Sequence, residues 1–281
     1  MTLLAVALTN LTSVAEKKVI PLWQEGAPTS NGLEGIEEKC VNNRISDVSN
    51  PELWVYPAKD PNGMMLIICP GGGYMRLAID HEGTDLTDWL NSRGISCAVL
   101  KYRMPNGHPE VPLEDSRRAI SIVRDRAAEW GVDPQKVGIM GSSAGGHFAA
   151  TLATLYGDNR YRPDFQVLLY PVISMGDDTH MGSRKELLGE KPSEEMIRKY
   201  SLQNNVTEKT PPAFIAFSAD DGAVPPSNSL NYVEALIRNK VPVTLHVYPT
   251  GGHGWGFRDS FTYKQQWTME LEKFLNNLNS K

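Results

Sequence analysis

The sequence predicts an α/β fold, a mostly parallel sheet with helices on both faces and one long excursion at its rim. Three observations predict it. From Asp47 onward, short apolar runs alternate with amphipathic stretches, the pattern of strands connected by covering helices. Glycine stands directly after the first two helical stretches, at Gly94 and Gly131, where a helix C-terminus is expected. The chain has 281 residues, 41 % of them hydrophobic, which suits one α/β domain with a sizeable core.

In chain order, Leu53–Tyr56 and Met64–Cys69 are apolar runs and read as strands. Thr84–Arg93, closed by Gly94, reads as a helix, and Ser96–Leu100 as the next strand. Val111–Trp130, closed by Gly131, is a long helical stretch. Val137–Met140 is a short buried strand, followed after a tight turn by a small-residue helix running to Leu155. Phe165–Leu169, Ala213–Phe217 and Val243–Tyr248 supply the remaining strands, with helices at Ser227–Asn239 and Tyr263–Leu278. Ser174–Pro212 is the exception, long, polar and strand-poor, with a short capped helix expected at Ser193–Tyr200. Excursions of this length typically serve as lids or pocket walls. The expected organisation is a leader over residues 1–15, then one domain over 16–281 with the excursion 174–212 near the site.

The net charge of −5 and the lack of any Lys/Arg run argue against nucleic acid as a partner. No stretch is long enough to span a bilayer, so no membrane partner is expected. Cys69 and Cys97 fall at the ends of apolar runs and read as small buried hydrophobes, and with Cys40 they form no Cys-x-x-Cys pair. Leu3–Leu11 resembles the apolar core of a secretory signal and Ser13-Val14-Ala15 a cleavage site, without the positively charged start such a signal has. The expectation is a secretory remnant and a periplasmic or secreted bacterial protein. A disordered leader on a cytoplasmic protein is the alternative.

Gly141-Ser142-Ser143-Ala144-Gly145 carries the chemistry. It lies between the strand ending at Met140 and the small-residue helix, the context in which Gly-x-Ser-x-Gly makes a nucleophile elbow. Side chains at Gly141 and Gly145 would collide with the neighbouring helix and strand. A serine hydroxyl needs a base to take its proton and an acid to orient that base. On such an elbow the acid and then the histidine follow the serine in the chain. Of the later histidines, His147 sits on the helix behind the elbow, His246 is mid-strand and His180 lies in the excursion. His253, in the glycine-rich loop Thr250–Gly256 after the last strand, is the expected base. Asp220 and Asp221 both follow the strand Ala213–Phe217. Asp221 has the Asp-x-x-Val-Pro spacing of the orienting acid, and Asp220 is expected to cap the loop. Cys69-Pro70-Gly71-Gly72-Gly73-Tyr74 can turn backbone N–H groups inward, so Gly72, Gly73 and Ala144 are the expected oxyanion donors. This chemistry needs no metal or other cofactor. Asp80-His81-Glu82 has nothing to pair with as a metal site, and His81 or Glu82 is expected to touch a sugar near the cleft. Tyr74 and Trp255, each abutting a catalytic loop, are expected to flank a pyranose ring or else to pack within the loops.

Pro70-Gly71-Gly72-Gly73-Tyr74, Tyr102-Arg103, Trp130-Gly131-Val132-Asp133-Pro134 and Gly141–Gly146 resemble the α/β-hydrolase esterases related to hormone-sensitive lipase. Within that group the chain is most similar to bacterial carbohydrate esterases of the acetylxylan-esterase type, over Asp47 to the C-terminus. This includes Lys185–Gly189 and Pro211–Phe214 in the excursion. The resemblance implies an α/β-hydrolase fold and a serine esterase acting by acyl transfer on an acylated carbohydrate or another small ester. One residue departs from the pattern: the esterase glycine motif usually begins with histidine, generally a structural one, and here it is Pro70. The oxyanion hole is therefore expected to survive, while the anchoring of the loop is open to change. Feruloyl or general short-chain ester hydrolysis, a prolyl-oligopeptidase-like peptidase without its propeller, and a non-catalytic binding protein are the alternatives.

Overall fold

The computed structural model describes residues 17–280; the leader expected over 1–15 lies outside the described residues. The strands are β1 (Lys18–Pro21), β2 (Lys39–Val41), β3 (Arg44–Ser46), β4 (Glu52–Tyr56), β5 (Gly63–Cys69), β6 (Arg76–Ala78), β7 (Ser96–Lys101), β8 (Val132–Ser142), β9 (Gln166–Leu169), β10 (Ala213–Ser218) and β11 (Val243–Tyr248). The helices are α1 (Thr87–Asn91), α2 (Glu110–Asp125), α3 (Ala144–Leu155), α4 (Met181–Leu188), α5 (Glu194–Tyr200), α6 (Ser227–Arg238) and α7 (Lys264–Asn279). An eight-stranded sheet runs in the order β1-β4-β7-β5-β8-β9-β10-β11. From β7 to β11 neighbouring strands are parallel, and β4 and β1 add antiparallel strands at one end. Burial explains why the inner parallel strands read as apolar runs: Met64–Cys69 and Ser96–Lys101 are buried at every position, as strands covered on both faces must be.

The sheet extends beyond its sequence-predicted limits. β1 pairs with β4 from Lys18↔Val55 to Pro21↔Glu52, upstream of the expected start at Asp47. It is short and mostly exposed, and its proline fits only an edge strand, so it lacks the apolar run of the inner strands. A second sheet, β2-β3-β6, also lies outside the expected set. Its strands have three residues each, and β2 and β3 join through Asn42 and Asn43, both left-handed at φ 49° and 56°. The helix expected over Val111–Trp130 divides: α2 ends at Asp125, and Ala127–Trp130 forms a 3-10 turn. The excursion holds α5, with Ser193 Oγ accepting from Met196 N–H as expected, and also the unexpected α4.

The segment before β4 is held by a buried ion pair. Arg103 Nη2 lies 2.8 Å from Asp115 Oδ1, both side chains being buried. Asp115 also accepts from Trp23 Nε1–H at 2.9 Å, and Arg103 Nη1 donates to the Thr29 carbonyl. Removing either partner would strand a buried charge, and through it residues 23 and 29 are fastened to α2 and to the segment after β7.

Four connections matter for function. Residues following β5, β8, β10 and β11 all emerge at the carboxyl ends of parallel strands, where open α/β sheets place their sites.

Candidate active site

Ser143 sits between β8 and α3 with φ 55° and ψ −123°, a backbone that L-residues rarely adopt. The two flanking glycines make the turn feasible. A Cβ on Gly141 would stand 1.9 Å from the Gly145 carbonyl oxygen, and one on Gly145 2.0 Å from that of Cys69. The strained residue is clamped by its backbone: its N–H donates to Leu169 O at 3.0 Å, and its carbonyl accepts from His147 and Val172 N–H.

The structure brings Ser143, His253 and Asp221 into one hydrogen-bonded chain. Ser143 Oγ is 2.7 Å from His253 Nε2, and His253 Nδ1 is 2.7 Å from Asp221 Oδ2. The other Asp221 oxygen accepts from Ala223 and Val224 N–H, both at 2.9 Å. The carboxylate is thus fixed before it meets the imidazole. Asp220 serves the neighbouring loop, accepting from Gly251 and Gly252 N–H at 3.2 and 2.8 Å.

The glycine loop after β5 lies against the serine. A Cβ on Gly71 would come within 2.9 Å of Ser143 Cβ. Gly72 and Gly73 have φ of 130° and 69°, and among the described residues their N–H groups have no acceptor. Ala144 opens α3, so no helical carbonyl lies one turn before its N–H. These are the groups an oxyanion would need.

With proline in place of the usual histidine, the loop is anchored by three other contacts. Tyr102 Oη donates to the Pro70 carbonyl at 2.7 Å. Gly71 N–H donates to Glu82 Oε2 at 2.8 Å. Tyr74 Oη lies 2.9 Å from His147 Nδ1, and His147 Nε2 lies 2.8 Å from the Tyr200 carbonyl. A carbonyl only accepts, so Nε2 carries the proton and Nδ1 accepts from the tyrosine. Burial pushes the His147 pKa down to about 4, which keeps this neutral tautomer in place. His147 is therefore structural, as expected, and joins the nucleophile helix, the glycine loop and the excursion.

All four residues expected near a sugar prove to be internal supports. Glu82 is 3 % exposed and uses both oxygens, one for Gly71 and the other accepting from Tyr170 Oη at 2.9 Å. His81 is 5 % exposed, with Nδ1 2.7 Å from Asp80 Oδ1 and its carbonyl accepting from Phe257 N–H. Tyr74 is 1 % exposed and turned toward His147. Trp255 is 4 % exposed, stacked on Phe261 at 4.2 Å, met edge-on by Tyr170 at 4.6 Å, and bonded through Nε1 to Ser218. Glu82, His81 and Tyr74 are turned into the protein, whereas Trp255, though packed on Phe261, also lines the cavity beside His253.

Glu82 has a different importance. Tyr170 Oη, which donates to Glu82, also accepts from Gly256 N–H at 2.7 Å, and its ring packs 4.8 Å from His253. One carboxylate thus ties the oxyanion loop to the histidine loop. Glu82→Ala would leave Gly71 N–H and Tyr170 O–H unpaired, at about 1–3 kcal/mol each. The expected result is a kcat lower by about 10–100-fold, since loosened oxyanion donors are costly. A melting temperature lower by roughly 5–10 °C should accompany it, measured by thermal unfolding. An unchanged kcat would show that the glycine loop holds itself.

Fold and site together define a serine hydrolase-type centre on an α/β-hydrolase scaffold. Residues 66–257 match the profile of the alpha/beta hydrolase fold family, and the chain belongs to that family. It is 37 % identical over 239 residues to an acetylxylan esterase of Xylanibacter ruminicola, covering 83 % of this chain and 50 % of that protein. It is likewise 37 % identical over 234 residues to endo-1,4-beta-xylanase B of Butyrivibrio fibrisolvens, covering 78 % of this chain and 36 % of that one. The chain therefore spans half or less of the length of these two relatives. Among solved structures it is similar to an acetyl ester-xyloside bifunctional hydrolase from Caldicellulosiruptor lactoaceticus, with 36 % identity and a TM-score of 0.80. That match covers 95 % of this chain and 98 % of the other.

Proposed function

We propose that this protein is a serine carboxylic-ester hydrolase that removes acetyl groups from plant polysaccharide or its oligosaccharides. The observation that carries the proposal is the Ser143–His253–Asp221 chain, with both links at 2.7 Å, beside the free N–H groups of Gly72 and Gly73. The relatives named for acetylxylan and acetyl-xyloside chemistry support the substrate class.

In this reading His253 Nε2 takes the Ser143 proton as Oγ attacks the ester carbonyl. The oxyanion is held by Gly72, Gly73 and Ala144 N–H, which are set by the fold before substrate arrives. Asp221 keeps the His253 Nδ1 proton in place and stabilises the imidazolium. The imidazolium then protonates the leaving sugar oxygen, water activated by the same ring attacks the acyl-serine, and acetate departs. Beside His253 a cavity of about 200 Å³, lined partly by Arg258, Ser260 and Thr262, offers polar surroundings for a hydroxylated alcohol. Export to the periplasm or beyond, which the leader's apolar run suggests, fits a polymeric substrate and forms part of the proposal.

Acetate release from acetylated xylan, run beside acetyl, butyryl and feruloyl model esters and a peptide panel, tests this reading. Release from xylan with preference for the acetyl ester is the expected result. Turnover of model esters alone would keep the mechanism and reject the substrate, and preference for feruloyl esters would reject the acyl group.

A further inference from the structure

We propose that His180 is a substrate-contacting residue, donating a hydrogen bond from Nε2–H to a hydroxyl of the sugar whose ester is cleaved. The proposal rests on the carbohydrate-esterase reading and names a residue within it that recognises the alcohol part.

His180 belongs to the excursion but is carried to the catalytic loops. Its Cε1 lies 3.6 Å from the position a Cβ on Gly73 would take, the Met75 methyl group lying 4.0 Å from that same point. The ring is half-buried beside the oxyanion loop. His253 and Asp221 are close enough for their charges to act on it, and burial together with His253 holds its pKa below the ordinary histidine value.

Its tautomer is set by the chain. Ser183 N–H donates to His180 Nδ1 at 3.1 Å, capping α4, and a backbone N–H can only donate. Nδ1 must therefore be unprotonated, with Ser183 Oγ 2.8 Å from it, and the proton resides on Nε2. Among the described residues nothing accepts from that Nε2–H. The segment leading to it is rigidly held. Asn228 accepts from Ile173 and Ser174 N–H and donates to the Asp178 carbonyl, and Thr179 Oγ1 donates to the Ser174 carbonyl. A donor fixed in place without a partner, at the mouth of an ester-cleaving site, loses little entropy on binding. Met75, whose methyl group approaches that same point beside Gly73, is half-exposed. A fixed polar N–H beside the flexible apolar thioether of Met75 matches a pyranose, which presents hydroxyls at its edge and C–H groups on its faces.

Two substitutions separate the cap from the contact. His180→Asn retains a cap acceptor where Nδ1 stood and removes the distal N–H. His180→Gln retains an N–H near the Nε2 position and sacrifices the cap. Both are assayed for kcat/KM on acetylated xylo-oligosaccharide and on 4-nitrophenyl acetate, which has no sugar hydroxyl, with melting temperatures recorded. H180N should lose about tenfold on the oligosaccharide, the worth of one hydrogen bond, and change by less than about twofold on the aryl ester. H180Q should recover most of the difference. Equal effects on both substrates, no effect on either, or a loss in H180Q as large as in H180N would overturn the contact. A parent protein active on the aryl ester but not on the oligosaccharide would overturn the carbohydrate reading, and the contact with it.

Discussion

Ser143→Ala is expected to abolish ester turnover, by about 10⁴–10⁶-fold in kcat, while leaving the fold intact. The fold should survive because Ser143 is held by its main chain. The bond from its N–H to Leu169 and those to its carbonyl from His147 and Val172 do not involve the hydroxyl. Alanine tolerates the positive φ no better and no worse than serine. The substitution removes the hydrogen bond between Oγ and His253, and His253 remains held by Asp221. Turnover should fail because the neighbouring hydroxyl cannot substitute: Ser142 lies in β8, whereas only position 143 occupies the elbow. The residual rate would come from oxyanion donors acting on a water attack. Acetate release and thermal unfolding measured on the same preparation check this. A variant within about tenfold of the parent would exclude Ser143 as nucleophile.

What could be read from the sequence was what the backbone needs locally. Gly141 and Gly145 are demanded by the approaches of 1.9 and 2.0 Å that a Cβ would make there, so the elbow is written into residue identity. The inner parallel strands are written as apolar runs because both their faces are covered, unlike the edge strand β11. Glu82 and Trp255 show where that legibility ends. A carboxylate or an indole beside a glycine loop looks the same in sequence whether it faces the cleft or the interior. Which way each faces is decided by Tyr170, Gly71 and Phe261, through contacts that only the folded chain creates. The β2–β3 hairpin did carry a local signal, since Asn42-Asn43 is a pair suited to two successive left-handed residues. Its strands have three residues each, too few to show alternation, and β2 is exposed throughout. Helix α4 was hidden for a related reason: its cap is histidine, outside the usual set of Ser, Thr, Asp and Asn. That histidine, His180, lies beside the glycine loop, a position no spacing rule reveals.

Asp221→Asn should lower kcat by about 10⁴-fold, and Asp220→Asn by less than about tenfold, although the two residues are adjacent and carry the same charge. The difference follows from what each oxygen must do. At Asp221 one oxygen accepts from two backbone N–H groups, Ala223 and Val224, while the other accepts from His253 Nδ1–H. An asparagine here will keep its carbonyl oxygen toward the two backbone donors, because turning its NH₂ toward them would oppose donor to donor. Its NH₂ then faces His253 and can be satisfied only by an unprotonated Nδ1. The imidazole proton moves to Nε2, which meets Ser143 Oγ at 2.7 Å and can no longer take the serine proton. The geometry would persist while the base is lost. At Asp220 the carboxylate accepts from Gly251 and Gly252 N–H and touches no reacting group, so asparagine can still accept one of them. Steady-state rates on an activated acetate ester, with melting temperatures to confirm folding, compare the two. A larger loss in Asp220→Asn than in Asp221→Asn would reverse the assignment of the orienting acid and break the link between the observed hydrogen bonds and the proposed mechanism.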